Sequence, residues 1–123
     1  MKAVEWWRST ATHMWRTYFS LEKEHFEHDK TGERWKDVSE PDKKFYAICQ
    51  DVLHAKFGAS DQAILRMYFT SRWGDDQYAV EDYSLKKNIP TNVIWIVIRR
   101  ANRIVMEEYG LLEKKEVEVE VDD

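Results

Sequence analysis

The strongest local constraint in this chain is Asn88-Ile89-Pro90, set inside the stretch Ser84 to Val105 and flanked by helical apolar spacing on both sides. Asparagine is one of the few non-glycine residues that tolerates the left-handed backbone a helix stop needs. Pro90 cannot continue a helix, but its fixed φ suits the start of one. Thr91 or Asn92 can then supply an N-cap oxygen. The pattern predicts helix, left-handed turn, helix. Immediately downstream, Val93-Ile94-Trp95-Ile96-Val97-Ile98 has the β-branching of a buried strand. Apolar spacing continues through Ala101, Ile104 and Val105 to Tyr109, and Arg99-Arg100 offer no turn, so the helical reading prevails. Gly110 then has the position of a left-handed C′ residue.

The same periodicity organises the rest. Val4, Trp7, Ala11, Met14, Tyr18 and Leu21 predict an amphipathic helix running to about residue 27. Trp6 and Trp15 widen its apolar face, which fits either core packing or a partner surface such as a homodimer interface. Thr31 to Glu40 is a loop in which Trp35 is expected to tuck back onto the first helix. Ser39-Glu40-Pro41-Asp42 reads as a helix start, with Phe45, Ile48, Cys49, Val52, Leu53 and Phe57 tracing an apolar face and a stop at Gly58. Ser60 caps a third helix, with Ile64, Leu65, Tyr68 and Phe69 inward and an end near Trp73-Gly74. Asp75 caps a fourth, with Tyr78, Ala79, Tyr83 and Leu85 as core positions. Four Gly and two Pro leave too little turn chemistry for an all-β chain. The expected fold is therefore all-α: a single-domain helical bundle of about five helices over residues 1–112, with a C-terminal helix-turn-helix. Residues 1–57 would be support or oligomerisation helices, residues 60–112 the helix-turn-helix part, and 113–123 a disordered acidic tail.

Several functional classes are disfavoured. His25 and His28 could share a metal ion with Glu22, Glu24 or Asp29, but spacing specifies no third ligand, so a polar helix end is expected and no metal or cofactor. Gly-rich phosphate loops, Gly-x-Ser-x-Gly and Cys–His signatures are missing. Glu107 and Glu108 are neighbours, about 100° apart on a helix, and make a solvated face rather than an acid/base pair. The chain does not read as an enzyme. Val93 to Ile98 is too short to cross a membrane, and MKAVEWWRST lacks the apolar core of a signal peptide. A single Cys49, on an apolar face, excludes an internal disulfide and fits a reducing, cytoplasmic setting. The net charge of −4 is local, because residues 113–123 hold two Lys and six acids. The body is left neutral, and a neutral body with a basic face can still meet nucleic acid.

Ser84, Asn88, Ile89, Ile94, Ala101 and Val105 occupy a particular spacing, with Ile98 and Arg100 in agreement. A small residue is followed four positions later by the turn residue and then an aliphatic. Another aliphatic stands five further on, an Ala after seven more, and an aliphatic after four. In that respect residues 60–112 resemble the region-4 helix-turn-helix of sigma-70-type factors and of small phage-encoded regulators. The resemblance implies a sequence-specific, DNA-binding transcriptional regulator of phage or mobile-element type, with duplex DNA as partner and a protein such as a polymerase subunit as another. Its contact residues would be Thr91, Asn92, Trp95, Arg99, Asn102 and Arg103 on the outer face of the second helix, with Lys86 and Lys87 from the turn. Arg66 and Arg72 would add backbone contacts. Asn can pair with adenine, and Arg with guanine or phosphate. Two departures keep a second reading open. Trp95 and Ile96 stand where such modules carry polar or basic side chains, and the acidic tail begins about a turn beyond the helix. Both suit a non-enzymatic protein-interaction module on the same scaffold, using the Trp-rich helices or the tail.

Overall fold

Every other helix in the bundle packs against the last one. The computed structural model describes residues 7–23, 33–71 and 76–110, and those residues form five α-helices and no strand. The helices are α1 (Arg8–Lys23), α2 (Glu40–Lys56), α3 (Ala59–Phe69), α4 (Asp76–Lys87) and α5 (Thr91–Tyr109), with a 3-10 turn at Glu33–Asp37 before α2. Helix α5 touches each of the other four, and α1 also packs on α2 and α3. The all-α single-domain bundle expected from periodicity is the architecture observed. None of the described helices is long and apolar enough to cross a membrane.

Aromatic rings form the centre. Trp15 is fully buried, stacked near-parallel on Phe69 at 5.9 Å and on Phe19 at 6.0 Å. Its indole Nε1 donates to the Ala101 carbonyl at 3.2 Å, so the polar edge of a buried ring is satisfied by α5. Of the two uses open to Trp15, core packing and a partner surface, the fold takes the first. Tyr18 continues the cluster, edge-on to Phe19 and tilted against Tyr46 of α2 at 4.9 Å. Trp35 packs on Tyr46 of α2 at 5.1 Å, with Lys43 above its ring. Cys49 is buried on the apolar face of α2, and burial pushes its thiol well above the usual range.

Helix ends show where local chemistry decides and where packing does. Ser39 caps α2 as predicted, accepting from the Asp42 amide, with Pro in the first turn. Gly58 was expected to stop α2, but the C-cap is Phe57 and Gly58 is already the N-cap of α3. Ser60 therefore lies inside the first turn instead of capping it. Gln62 explains the compression: its side-chain nitrogen donates to the Phe57 carbonyl at 2.8 Å and the Leu53 carbonyl at 3.3 Å. These bonds satisfy the end of α2 from within α3. Helix α3 ends at Phe69, short of Trp73-Gly74, where the Thr70 hydroxyl donates to the Arg66 carbonyl at 2.6 Å. Trp6, the His25–His28 pair, Asp75 and the acidic tail lie outside the described residues.

Helix α4 departs furthest from expectation. Its buried residue is Val80, whereas Tyr78 is 58% and Leu85 83% exposed. Tyr78 and Leu85 are seven residues apart and share one side, roughly opposite Val80. Ala79 and Tyr83 are half-buried.

Two measurements follow from this core. Trp15→Ala removes the stacked ring and leaves a large cavity, so urea denaturation should show a loss of about 3–5 kcal/mol. Burial, then the neighbouring Glu22 carboxylate, raises the Tyr18 phenol above its ordinary 10.0, and the same causes raise Tyr46. Below pH 10 both phenols are protonated whether folded or unfolded, so they add no pH dependence there. Above it the unfolded chain loses protons first and stability falls. The Cys49 thiol acts with the same sign from its ordinary 9.0 upward. Urea midpoints should therefore decline through alkaline pH, and Tyr18→Phe should flatten the portion above pH 10.

Candidate functional site

The connection between α4 and α5 is closed by three hydrogen bonds and one left-handed residue. Asn88 adopts φ 57, the conformation its side chain tolerates better than most. This reverses the chain so that the Ile89 amide donates back to the Ser84 carbonyl at 3.2 Å, the longer bond of a Schellman stop. The Ser84 hydroxyl then donates to the Ile89 carbonyl at 2.5 Å. A small hydroxyl residue at 84 thus latches the turn from inside, and Ile89 packs against the core as its apolar anchor. Pro90, with φ −59 and ψ 142, is itself the N-cap of α5, and its carbonyl accepts from the Val93 amide at 3.1 Å. The predicted cap oxygen of Thr91 or Asn92 is not used. Both side chains are exposed at the start of the helix.

From this fixed start, α5 turns one face inward and one outward. Ile94, Val97, Ile98, Ala101, Val105 and Met106 are buried, and the helix ends at Gly110 with φ 95, as read from the sequence. The β-branched run Val93 to Ile98 is helical throughout, in line with its apolar spacing. Among the anticipated contact residues, Thr91, Asn92 and Arg99 are exposed, as are Lys86 and Lys87 at the end of α4. Lys86 pairs with Asp82 at 3.1 Å. Arg103 reaches Glu107 at 3.1 Å and keeps 40% of its side chain exposed, whereas Arg99 makes no such contact among the described residues.

Three expected positions need correction. Asn102 is buried, because it continues the line of Ile98 and Met106 on the inner flank of the helix. Its Oδ1 has no partner among the described residues. Trp95 is half-buried and sits edge-on to Tyr68 of α3 at 5.6 Å, so only part of the ring faces outward. Arg66 is committed to the joint between helices, paired with Glu22 and lying over the Phe19 ring at 5.2 Å. Arg72 lies outside the described residues. Arg100 is also structural: its guanidinium covers Phe57 at 4.8 Å and donates to the Lys56 carbonyl, closing the end of α2.

Sequence patterning places Ile96 outward but misses the rest of the apolar surface. Val93 was read as core, yet it is 41% exposed beside Ile96. Together with Tyr78 and Leu85, these are the large exposed hydrophobics among the described residues, and all four lie on α4 or α5. Apolar character hides Tyr78, Leu85 and Val93, since periodicity assigns such residues inward. No group of three His, Cys, Asp or Glu side chains converges among the described residues. An open cleft between α3 and α4 is lined by Met67, Ser71, Tyr78, Ala79, Asp82, Tyr83 and Lys86. Its acid and base are paired with each other. No protein-family model, curated protein or solved structure matches the chain.

The turn itself can be tested. Asn88→Gly relieves a positive φ and should leave the melting temperature equal or slightly higher, whereas Asn88→Val should lower stability by about 1–2 kcal/mol. Equal effects of the two would contradict the left-handed stop.

Proposed function

We propose that α4, the Asn88 turn and α5 form a helix-turn-helix of the sigma-70 region-4 kind, in a cytoplasmic transcriptional regulator of phage or mobile-element type. The observation that carries this reading is the presentation of α5 by a hydrogen-bonded turn. A latched turn fixes its N-terminus while Thr91, Asn92 and Arg99 stand free on its outer side. A recognition helix contacts base edges through its N-terminal residues and phosphate through cations further along. Asn92 is placed for a base, Arg99 for phosphate or guanine, and Lys87 for backbone at the entry. Asn102 drops out of the contact set, and Arg103 contributes only by leaving Glu107. Such a surface has few free cations, so binding should be modest and strongly dependent on salt.

A second reading is favoured by one specific observation. Tyr78, Leu85, Val93 and Ile96 expose apolar surface on the same two helices. Exposed apolar side chains on a neutral body suit a protein partner, such as a polymerase subunit. The two readings separate cleanly in a duplex titration at several salt concentrations. The DNA reading expects micromolar or tighter binding at low salt. Arg99→Ala with Arg103→Ala should weaken it and reduce the logarithmic salt slope by about 1–2. Absence of binding to any duplex at low salt would sink it and leave the protein-interaction reading, for which Ile96→Asp is the disruptive substitution.

A further inference from the structure

Packing and the turn share the placement of α5. Ile94 is the first buried residue of the helix, so from there onward the core fixes it. Thr91, Asn92 and Val93 come before it, and all three are exposed. Their place depends on the peptide that leads into them and on any cap at the helix start. No side chain caps it: the N-cap is Pro90, which has neither a side-chain oxygen nor an N–H.

The peptide between Ile89 and Pro90 therefore carries an acceptor and no donor. Ile89 is held at its amide, which donates to the Ser84 carbonyl at 3.2 Å, and by its side chain against the core. Neither contact fixes ψ of Ile89, the torsion that orients its carbonyl. A following proline confines that torsion to a range of about 40°, and a partner for the carbonyl must select within it. The Ser84 hydroxyl is that partner, donating to the Ile89 carbonyl at 2.5 Å. Past this peptide, the ring of Pro90 sets φ at −59, and its ψ of 142 is the one soft torsion left before Thr91. A serine inside a helix commonly turns its hydroxyl back to the carbonyl four residues earlier, here that of Val80. Ser84 instead reaches forward across the turn, to the segment that begins α5.

We propose that Ser84 is the positioning residue of the α5 N-terminus: its hydroxyl holds Thr91 and Asn92 in one orientation and so sets discrimination between bases, without touching the ligand itself. That Asn92 meets a base edge rests on the DNA reading above; the orientation of the helix start by Ser84 does not.

Ser84→Ala and Ser84→Thr in the full chain separate the hydroxyl from the rest of the side chain. The alanine chain keeps the main-chain bond from Ile89 and should melt only a few degrees lower. Its amide heteronuclear NOE values should drop at Thr91, Asn92 and Val93 and hold from Ile94 onward. Threonine retains the donor and should show no drop. Equal values in all three chains overturn the positioning role, and so does a drop spread along the whole of α5. For binding, a duplex enriched from a random pool by the unaltered chain is compared with its scrambled counterpart. Ser84→Ala should lower the preference for the enriched duplex about tenfold. Affinity for the scrambled duplex and its salt slope should hold, because Arg99 lies beyond Ile94 in the part of α5 that packing fixes. Equal loss on both duplexes overturns the role in discrimination. If no duplex binds at low salt, the DNA reading fails, and the amide measurements alone decide whether Ser84 orients the helix start.

Discussion

The indole N–H of Trp15 donating to the Ala101 carbonyl is the interaction on which this bundle depends. A buried Trp needs a partner for its one polar atom, and a helical backbone carbonyl can supply one only if the two elements lie close. That bond sets α5 against α1 at the depth where Phe19 and Phe69 stack on the same ring. Small size at Ala101 is what lets the ring approach. The other helices fill in around this pair, and the outward side of α5 follows as a geometric complement of the inward one.

The positions legible in the sequence are those decided within a few residues. Ser39 caps its helix, Asn88 turns left-handed and Gly110 ends α5, because each conformation depends on local backbone chemistry. The β-branched run from Val93 to Ile98 is helical because its apolar spacing continues beyond it. Positions decided by a neighbour's shape were not legible. Asn102 is inward because the buried stripe of α5 is wider than its apolar residues suggest, and Leu85 is outward because among the described residues α4 buries its opposite side, at Val80. Gln62 bridges the α2–α3 junction by a side chain reaching backward, so the boundary moved by two residues relative to a cap-based reading.

The same limit applies to the outer face. Periodicity identifies which residues a helix can present, but not which cations are already engaged. Arg66 and Arg100 look equivalent to Arg99 in the sequence. In the folded chain they cover Phe19 and Phe57 and hold elements together. The cations left unengaged on the outer side of α5 are fewer than composition suggests, and they share their surface with exposed aliphatic groups.

Because α5 follows the other four helices in the chain and touches all of them, assembly of the core has a temporal order. Trp15 is separated from its carbonyl partner by 86 residues. On a ribosome, α1 to α4 emerge before the helix that covers their rings. Until α5 arrives, a cluster of Trp, Tyr and Phe has no lid, and closing so long a loop is entropically slow. The nascent chain thus passes through an interval in which its stickiest surface is open to holdase chaperones or to neighbouring chains.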